Sequence, residues 1–77
     1  MIKNELFLLI KNALDAENEI DINSSADNIP EWDSLGHLSV LTALDDATDG
    51  KAASISDLGD ATSVIAIVEI LKVNGLL

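Results

Sequence analysis

The sequence predicts a small all-α domain over residues 1–77, a bundle of three main helices and one short helix. Two observations support this prediction. Apolar residues recur at helical spacing in three separate segments, and no segment alternates apolar and polar residues with the period of two expected for strands. The chain has 77 residues, enough for one domain at most. Leu, Ile, Val and Phe make up about a third of the chain, which favours a folded core over disorder.

The first predicted helix runs from about Ile2 to about Ala16. Its apolar residues fall at i, i+4, i+7, i+8 and i+11, so they lie on one face of an amphipathic helix. The residues of this face are Ile2, Leu6, Leu9, Ile10 and Ala13, and Leu14 widens it.

A long connection from about Asn18 to Asp33 follows the first helix. Loops of more than about 12–15 residues are uncommon in compact domains, so apolar side chains must hold this one against the core. We expect four residues to do so: Ile20, Ile22, Ile29 and Trp32.

The second helix is predicted to start at Asp33 or Ser34, because both are favourable N-cap residues, with Pro30 outside it. It should end near Asp49-Gly50, since glycine adopts the left-handed conformation that closes many helices. The predicted buried stripe is formed by Leu38, Val40, Leu41, Leu44, Ala47 and Thr48.

The remainder of the chain is predicted as a loop and a final helix. Residues 51–61 should contain one short helical turn, capped by Ser56-Asp57 and anchored by Ile55 and Leu58. The last helix should start with Thr62 as its N-cap and end at Asn74-Gly75. Its apolar residues recur at i, i+3, i+4 and i+7, and these are Val64, Ile67, Val68 and Leu71.

Charge and composition limit the function. The net charge is −10, from 14 acidic and 4 basic residues, which disfavours binding to nucleic acid or to an anionic membrane and favours basic protein partners. The chain has no cysteine and one histidine, so we expect no metal centre. Acid–base groups are scarce, so a binding or carrier role is favoured over an enzyme. We also expect a cytoplasmic monomer, because no targeting or membrane segment is visible.

Chemical interest centres on Asp33-Ser34-Leu35, where the long loop enters the second helix. The first-turn N–H groups of a helix are unpaired and its dipole is positive there. A phosphate ester on the Ser34 hydroxyl would therefore be electrostatically favoured. The alternative is that Asp33 and Ser34 form an ordinary helix cap.

The order of these features resembles that of an acyl carrier protein. The resemblance covers essentially the whole chain, with Asp-Ser-Leu near the middle at the start of a leucine-rich helix. It implies that Ser34 is the attachment point for 4′-phosphopantetheine, donated by coenzyme A through a separate phosphopantetheinyl transferase. Asp33 and Leu35 would shape the site for that transferase, and the thiol of the arm would carry an acyl group as a thioester.

The resemblance also implies that the second helix docks on basic patches of acyl-loading and acyl-using enzymes. Its C-terminal end carries several acids, which the helix dipole disfavours there. The alternative is a solvated acidic face. The residues expected to form the docking surface are His37, Leu38, Val40, Leu41, Asp45, Asp46 and Asp49.

Two positions depart from the pattern of fatty-acid-synthesis carriers. Gly36 and Ser39 stand where those carriers typically have acidic residues. This favours a specialised stand-alone carrier and leaves the pathway open between fatty-acid and secondary metabolism.

Two other functions remain open, an aminoacyl or peptidyl carrier and a small acidic interaction module without a prosthetic group. A hydrolase that uses Ser34 and His37 is disfavoured, because an i, i+3 pair projects both side chains outward without a walled pocket. We expect an acyl chain to lie between the second helix and the later helices, against Leu41, Ala43, Leu44, Ile55, Leu58, Ala61, Ile65 and Val68.

Overall fold

The computed structural model describes residues 1–77 and contains three α-helices. These are α1 (Lys3–Leu14), α2 (Ser34–Ala47) and α3 (Val64–Val73). Two 3₁₀ helices, Ala52–Ser54 and Ser56–Asp60, lie between α2 and α3. The all-α prediction is confirmed, but two 3₁₀ helices stand where the sequence predicted one short turn. None of the helices is long and apolar enough to cross a membrane.

Helix α1 buries one face and packs against α2. Leu6, Ile10 and Leu14 are buried, at the i, i+4 and i+8 spacing that places side chains on one side of a helix. Ile2 is 65% exposed, which corrects its predicted place in the buried stripe. It lies outside the helix as the N-cap, where its backbone N–H donates to Glu5 Oε1 at 2.9 Å.

Three of the four predicted apolar residues hold the long connection to the core. Ile20, Ile29 and Trp32 are buried, whereas Ile22 is 37% exposed and its prediction is wrong. Backbone pairing replaces that contact: Ala26 N–H donates to Thr62 O, and Val64 N–H donates to Ser24 O, each at 2.9 Å. The connection is therefore fixed to the start of α3 by hydrogen bonds that no apolar pattern could indicate.

Helix α2 buries most of its predicted stripe, with two exceptions and one addition. Leu38 is 59% exposed and Ala47 is also exposed, so both corrections concern the predicted buried stripe. Val40, Leu44 and Thr48 of the predicted stripe are buried, and Leu41 is partly buried. His37, which the prediction left out, joins this face with both ring nitrogens hydrogen-bonded. That face consists of His37, Val40, Leu44 and Thr48.

The ends of the last two helices follow local backbone chemistry. Gly50 has a φ of +84° just beyond α2, as the predicted left-handed ending requires. The N-cap of α3 is Ser63 and not Thr62, because Ser63 Oγ accepts a hydrogen bond from Ala66 N–H at 3.2 Å. The Thr62 carbonyl is instead paired with Ala26.

A single hydrophobic core joins all of these segments. Its α3 residues are Val64, Ile67, Val68 and Leu71, which confirms the predicted apolar face of the last helix. Helix α1, the long connection, α2, both 3₁₀ helices and Ala61 contribute the remainder, so the start of α2 is held from several sides.

Candidate functional site

Ser34 is the first residue of α2 and is exposed. Asp33 caps the helix: its Oδ1 accepts a hydrogen bond from Gly36 N–H at 2.8 Å, and its carbonyl accepts one from His37 N–H at 2.8 Å. The side-chain hydrogen bonds at this helix start do not use the Ser34 hydroxyl. Ser34 therefore presents a primary alcohol at the positive end of a helix dipole.

A groove of about 590 Å³ lies beside Ser34. Its walls come from the start of α2, the long connection, and the chain from Gly59 in the second 3₁₀ helix to Thr62 just before α3. A second depression of about 370 Å³ shares Leu41 and Gly59 with it. This depression lies between α2 and the two 3₁₀ helices, with Ile55 in its lining. The residues that line the first groove are Ala26, Trp32, Asp33, Ser34, His37, Leu38, Leu41, Gly59 and Thr62.

The predicted acyl-chain lining agrees with these grooves only in part. Leu41, Ile55 and Leu58 line them. The other five predicted residues do not: Ala43 lines a separate depression between α1 and α2, Ile65 is 48% exposed, and Leu44, Ala61 and Val68 belong to the closed core.

His37 is buried and uses both ring nitrogens. Trp32 Nε1–H donates to His37 Nδ1 at 3.0 Å, and His37 Nε2 lies 2.9 Å from Leu58 O. Because Nδ1 accepts a hydrogen bond, the proton of the neutral ring must be on Nε2, which then donates to the carbonyl. Trp32 and His37 are 3% and 6% exposed, and their rings stack at an interplanar angle of 23°.

This geometry corrects two predictions about docking. His37 does not project outward with Ser34, and Val40 does not lie on the surface predicted to dock, because both side chains are buried. The helix face that carries them packs on the core, so neither can contact a partner surface. His37 is engaged by Trp32 and Leu58, so it is not placed to act as a base for Ser34.

The remaining predicted docking residues are at least partly accessible. Leu38, Asp46 and Asp49 are exposed, and Leu41 and Asp45 are partly buried. Leu35, predicted to shape the modification site, is 76% exposed. Asp45 also has a structural role, because its Oδ1 accepts a hydrogen bond from Ala53 N–H at 3.2 Å. This contact offsets part of its unfavourable position near the helix C-terminus.

Gly36 allows the start of α2 to approach the long connection closely. A Cβ atom at this position would clash with the Glu31 carbonyl oxygen and would lie 2.9 Å from the Leu14 side chain. Any larger residue would therefore displace the helix or the loop. The glycine that departs from the pattern of fatty-acid carriers has a packing reason in this chain.

Sequence reasoning missed the Trp32–His37–Leu58 bridge. Only a weak signal in the sequence indicates that His37 is buried. It lies three residues before Val40 and seven before Leu44, so all three share one helix face. Nothing local identifies its partner Leu58, which lies 21 residues further along the chain.

Comparisons with known proteins give no match to this chain among family models, curated proteins or solved structures.

Proposed function

We propose that the chain is an acyl carrier protein whose Ser34 carries a 4′-phosphopantetheine arm. The observation that supports this most directly is the placement of an exposed serine alcohol at the start of α2, next to an open groove. The resemblance of the Asp33-Ser34-Leu35 segment to the carrier motif supplies the identity of the group.

The residues around Ser34 fit such a group. Its phosphate would lie at the N-terminus of a 14-residue helix, where backbone N–H groups and the dipole favour negative charge. The groove begins at Ser34 and continues past Leu41, so an attached chain has a path along α2. Trp32, Leu38 and Leu41 give this path an apolar lining.

Attachment is a phosphoryl transfer catalysed by a separate enzyme. The Ser34 oxygen attacks the phosphorus next to the pantetheine of coenzyme A, the phosphoanhydride bond breaks, and adenosine 3′,5′-bisphosphate leaves. The serine proton passes to a base of the transferase. When bound, the arm supplies a thiol that holds acyl groups as thioesters, a reactive sulfur that the cysteine-free chain lacks.

We further propose that partner enzymes bind the exposed side of α2. Leu35 and Leu38 would enter apolar depressions of the partner, and Asp46 and Asp49 would face its basic residues. The partners would be the transferase and the acyl-loading and acyl-using enzymes of either fatty-acid or specialised metabolism.

The modification test uses intact mass. The chain is incubated with coenzyme A and a broad-specificity phosphopantetheinyl transferase, as wild type, Ser34→Ala and Ser39→Ala. Ser39 is the matched control, because it is another exposed serine of α2. We expect one phosphopantetheine on wild type and on Ser39→Ala, and none on Ser34→Ala.

Two other functions would give different results. An aminoacyl or peptidyl carrier would accept the arm but would be loaded by an adenylating enzyme with an amino acid. A small acidic interaction module would not accept the arm at all. A folded wild type that stays unmodified, also with a transferase from the same source, would contradict the carrier proposal.

A further inference from the structure

We propose that His37 is a positioning residue for Ser34, because its two hydrogen bonds hold together the walls of the groove beside the serine. The inference deepens the proposed function and rests on it for the role of Ser34. The bridge itself, from Trp32 through His37 to Leu58, is a property of the chain alone.

The two residues of the first hydrogen bond, Trp32 and His37, stand on either side of Ser34 in the sequence. Trp32 lies two residues before the serine and His37 three residues after it, and their side chains are joined at 3.0 Å inside the protein. The Asp33 cap closes the same segment on its outer side. The backbone that presents the Ser34 hydroxyl is therefore held from both faces, in one geometry that a modifying enzyme can recognise.

The second half of the bridge joins α2 to the opposite wall of the groove. Leu58 belongs to the second 3₁₀ helix, and the next residue, Gly59, lines the groove. The hydrogen bond from His37 Nε2 to Leu58 O is 2.9 Å long. It sets the separation between this wall and the start of α2.

The other side-chain hydrogen bonds between α2 and the 3₁₀ segments lie at the far end of α2, so His37 provides the one near Ser34. Ala52 N–H donates to Thr48 Oγ1 at 3.0 Å, and Ala53 N–H donates to Asp45 Oδ1 at 3.2 Å. Both bonds join the C-terminal end of α2 to the segment that follows. Without His37, Leu58 keeps its packing in the core, but this wall of the groove loses its hydrogen bond to the start of α2 and is held less tightly beside Ser34.

The test compares three variants with wild type, first in the unmodified chain. His37→Gln can keep one donor and one acceptor, and His37→Leu fills the space without either. Trp32→Phe removes the indole donor together with part of the buried ring system. Thr48→Val is the matched control that breaks the far-end attachment. The chain has one tryptophan and one histidine, so the indole N–H and imidazole signals in ¹⁵N NMR spectra are unambiguous.

We expect the wild-type imidazole to show the Nε2-protonated tautomer. In His37→Leu, the indole N–H of Trp32 should exchange with solvent roughly tenfold faster, in line with the loss of one buried hydrogen bond. His37→Gln should recover most of the protection. Thr48→Val should speed indole exchange no more than its measured loss of global stability accounts for, because its lost bond lies at the other end of α2.

Transfer kinetics then test the link to Ser34. For His37→Leu and Trp32→Phe, the KM of the transferase for the carrier chain should rise roughly three- to tenfold with kcat nearly unchanged, since the serine is less often presented correctly. His37→Gln should lie close to wild type. Circular dichroism checks that each variant is folded, and Trp32→Phe with His37→Gln keeps the test decisive if His37→Leu unfolds.

Three results would overturn the inference: an Nδ1-protonated imidazole, unchanged indole exchange in folded His37→Leu, or a KM that does not differ between variants. If the wild type accepts no arm while the spectra are as expected, the proposed function fails and takes the role at Ser34 with it. The exchange data would still show that His37 joins the groove walls, so the two failures can be told apart.

Discussion

At the residue scale, the start of α2 depends on Asp33, which must have a polar side chain, and on Gly36, which must have none. Asp33 must offer a side-chain oxygen to Gly36 N–H, and Gly36 must have no side chain, because the Glu31 carbonyl occupies the space where Cβ would lie. Both requirements come from the close approach of the long connection to the helix. They fix the backbone on either side of Ser34.

Replacing Gly36 by Ala should destabilise the fold by about 2 kcal/mol. Alanine gains up to about 1 kcal/mol in helix propensity, but the clash of its Cβ with the Glu31 carbonyl oxygen forces a backbone shift whose cost exceeds that gain. Gly59→Ala is the matched control, because no atom lies within 4 Å of its added Cβ. Urea unfolding of both variants decides the matter, and equal midpoints would refute the packing role of Gly36.

Replacing Asp33 by Ala should cost about 1 kcal/mol of stability, since Gly36 N–H loses its acceptor. Asp33→Asn keeps an acceptor oxygen and should stay within about 0.5 kcal/mol of wild type. Urea midpoints provide the measurement. If Asp33→Asn loses as much stability as Asp33→Ala, the charge of Asp33 and not its capping oxygen stabilises the helix.

At the scale of elements, the sequence predicts where helices lie better than how they face. Capping chemistry is local, so the start of α2 at Asp33-Ser34 could be predicted within one residue. The buried face of α2 could be predicted only in part: Val40, Leu44 and Thr48 are buried as expected, but the burial of His37 depends on partners in other segments. Leu38 lies on the surface although its residue type favours the core.

The same limit explains the errors at the start of α3 and in the long connection. Thr62 and Ser63 are both acceptable caps, and the choice is made by the backbone pairing of Thr62 with Ala26. Ile22 lies exposed at the surface because that pairing already holds this part of the connection. Contacts between distant residues carry no local sequence signal, whereas the exposed Ser34 at a helix start does.

Thr48 gives a test of how α2 is attached to the segment that follows it. Its buried hydroxyl donates to Leu44 O at 2.7 Å and accepts from Ala52 N–H at 3.0 Å. Thr48→Val should therefore cost about 1–3 kcal/mol, because a buried N–H loses its partner.

Thr42→Val is the control for this experiment. Thr42 donates only to Leu38 O in its own helix and is exposed, so its replacement should change stability by less than about 0.5 kcal/mol. Thermal or urea unfolding of the two variants compares them directly. Equal stabilities would show that Thr48 does not join the two segments.

At the scale of the whole molecule, charge dominates the surface. The net charge is −10, and the chain contains one ion pair, Lys11–Glu19 at 2.7 Å, in which the Glu19 side chain is 88% exposed. Exposed pairs of this kind contribute little to stability. Mutual repulsion of the acidic groups therefore opposes the folded state.

Millimolar Mg²⁺ or Ca²⁺ should raise the melting temperature above its value in NaCl at the same ionic strength. Divalent ions that associate with the acidic surface relieve this repulsion in the folded chain. No cluster of three or more potential metal ligands is present, so the effect should be gradual with concentration and not saturate at one equivalent. Equal melting temperatures at matched ionic strength would contradict this expectation.

The central claim is that Ser34 carries the phosphopantetheine arm. Its most direct test is tandem mass spectrometry of the wild-type chain after reaction with coenzyme A and a phosphopantetheinyl transferase, which locates the added group on one residue. We predict a single phosphopantetheine on Ser34 and none on the neighbouring Ser39. A folded wild type without the group, or with it on another residue, would contradict the account.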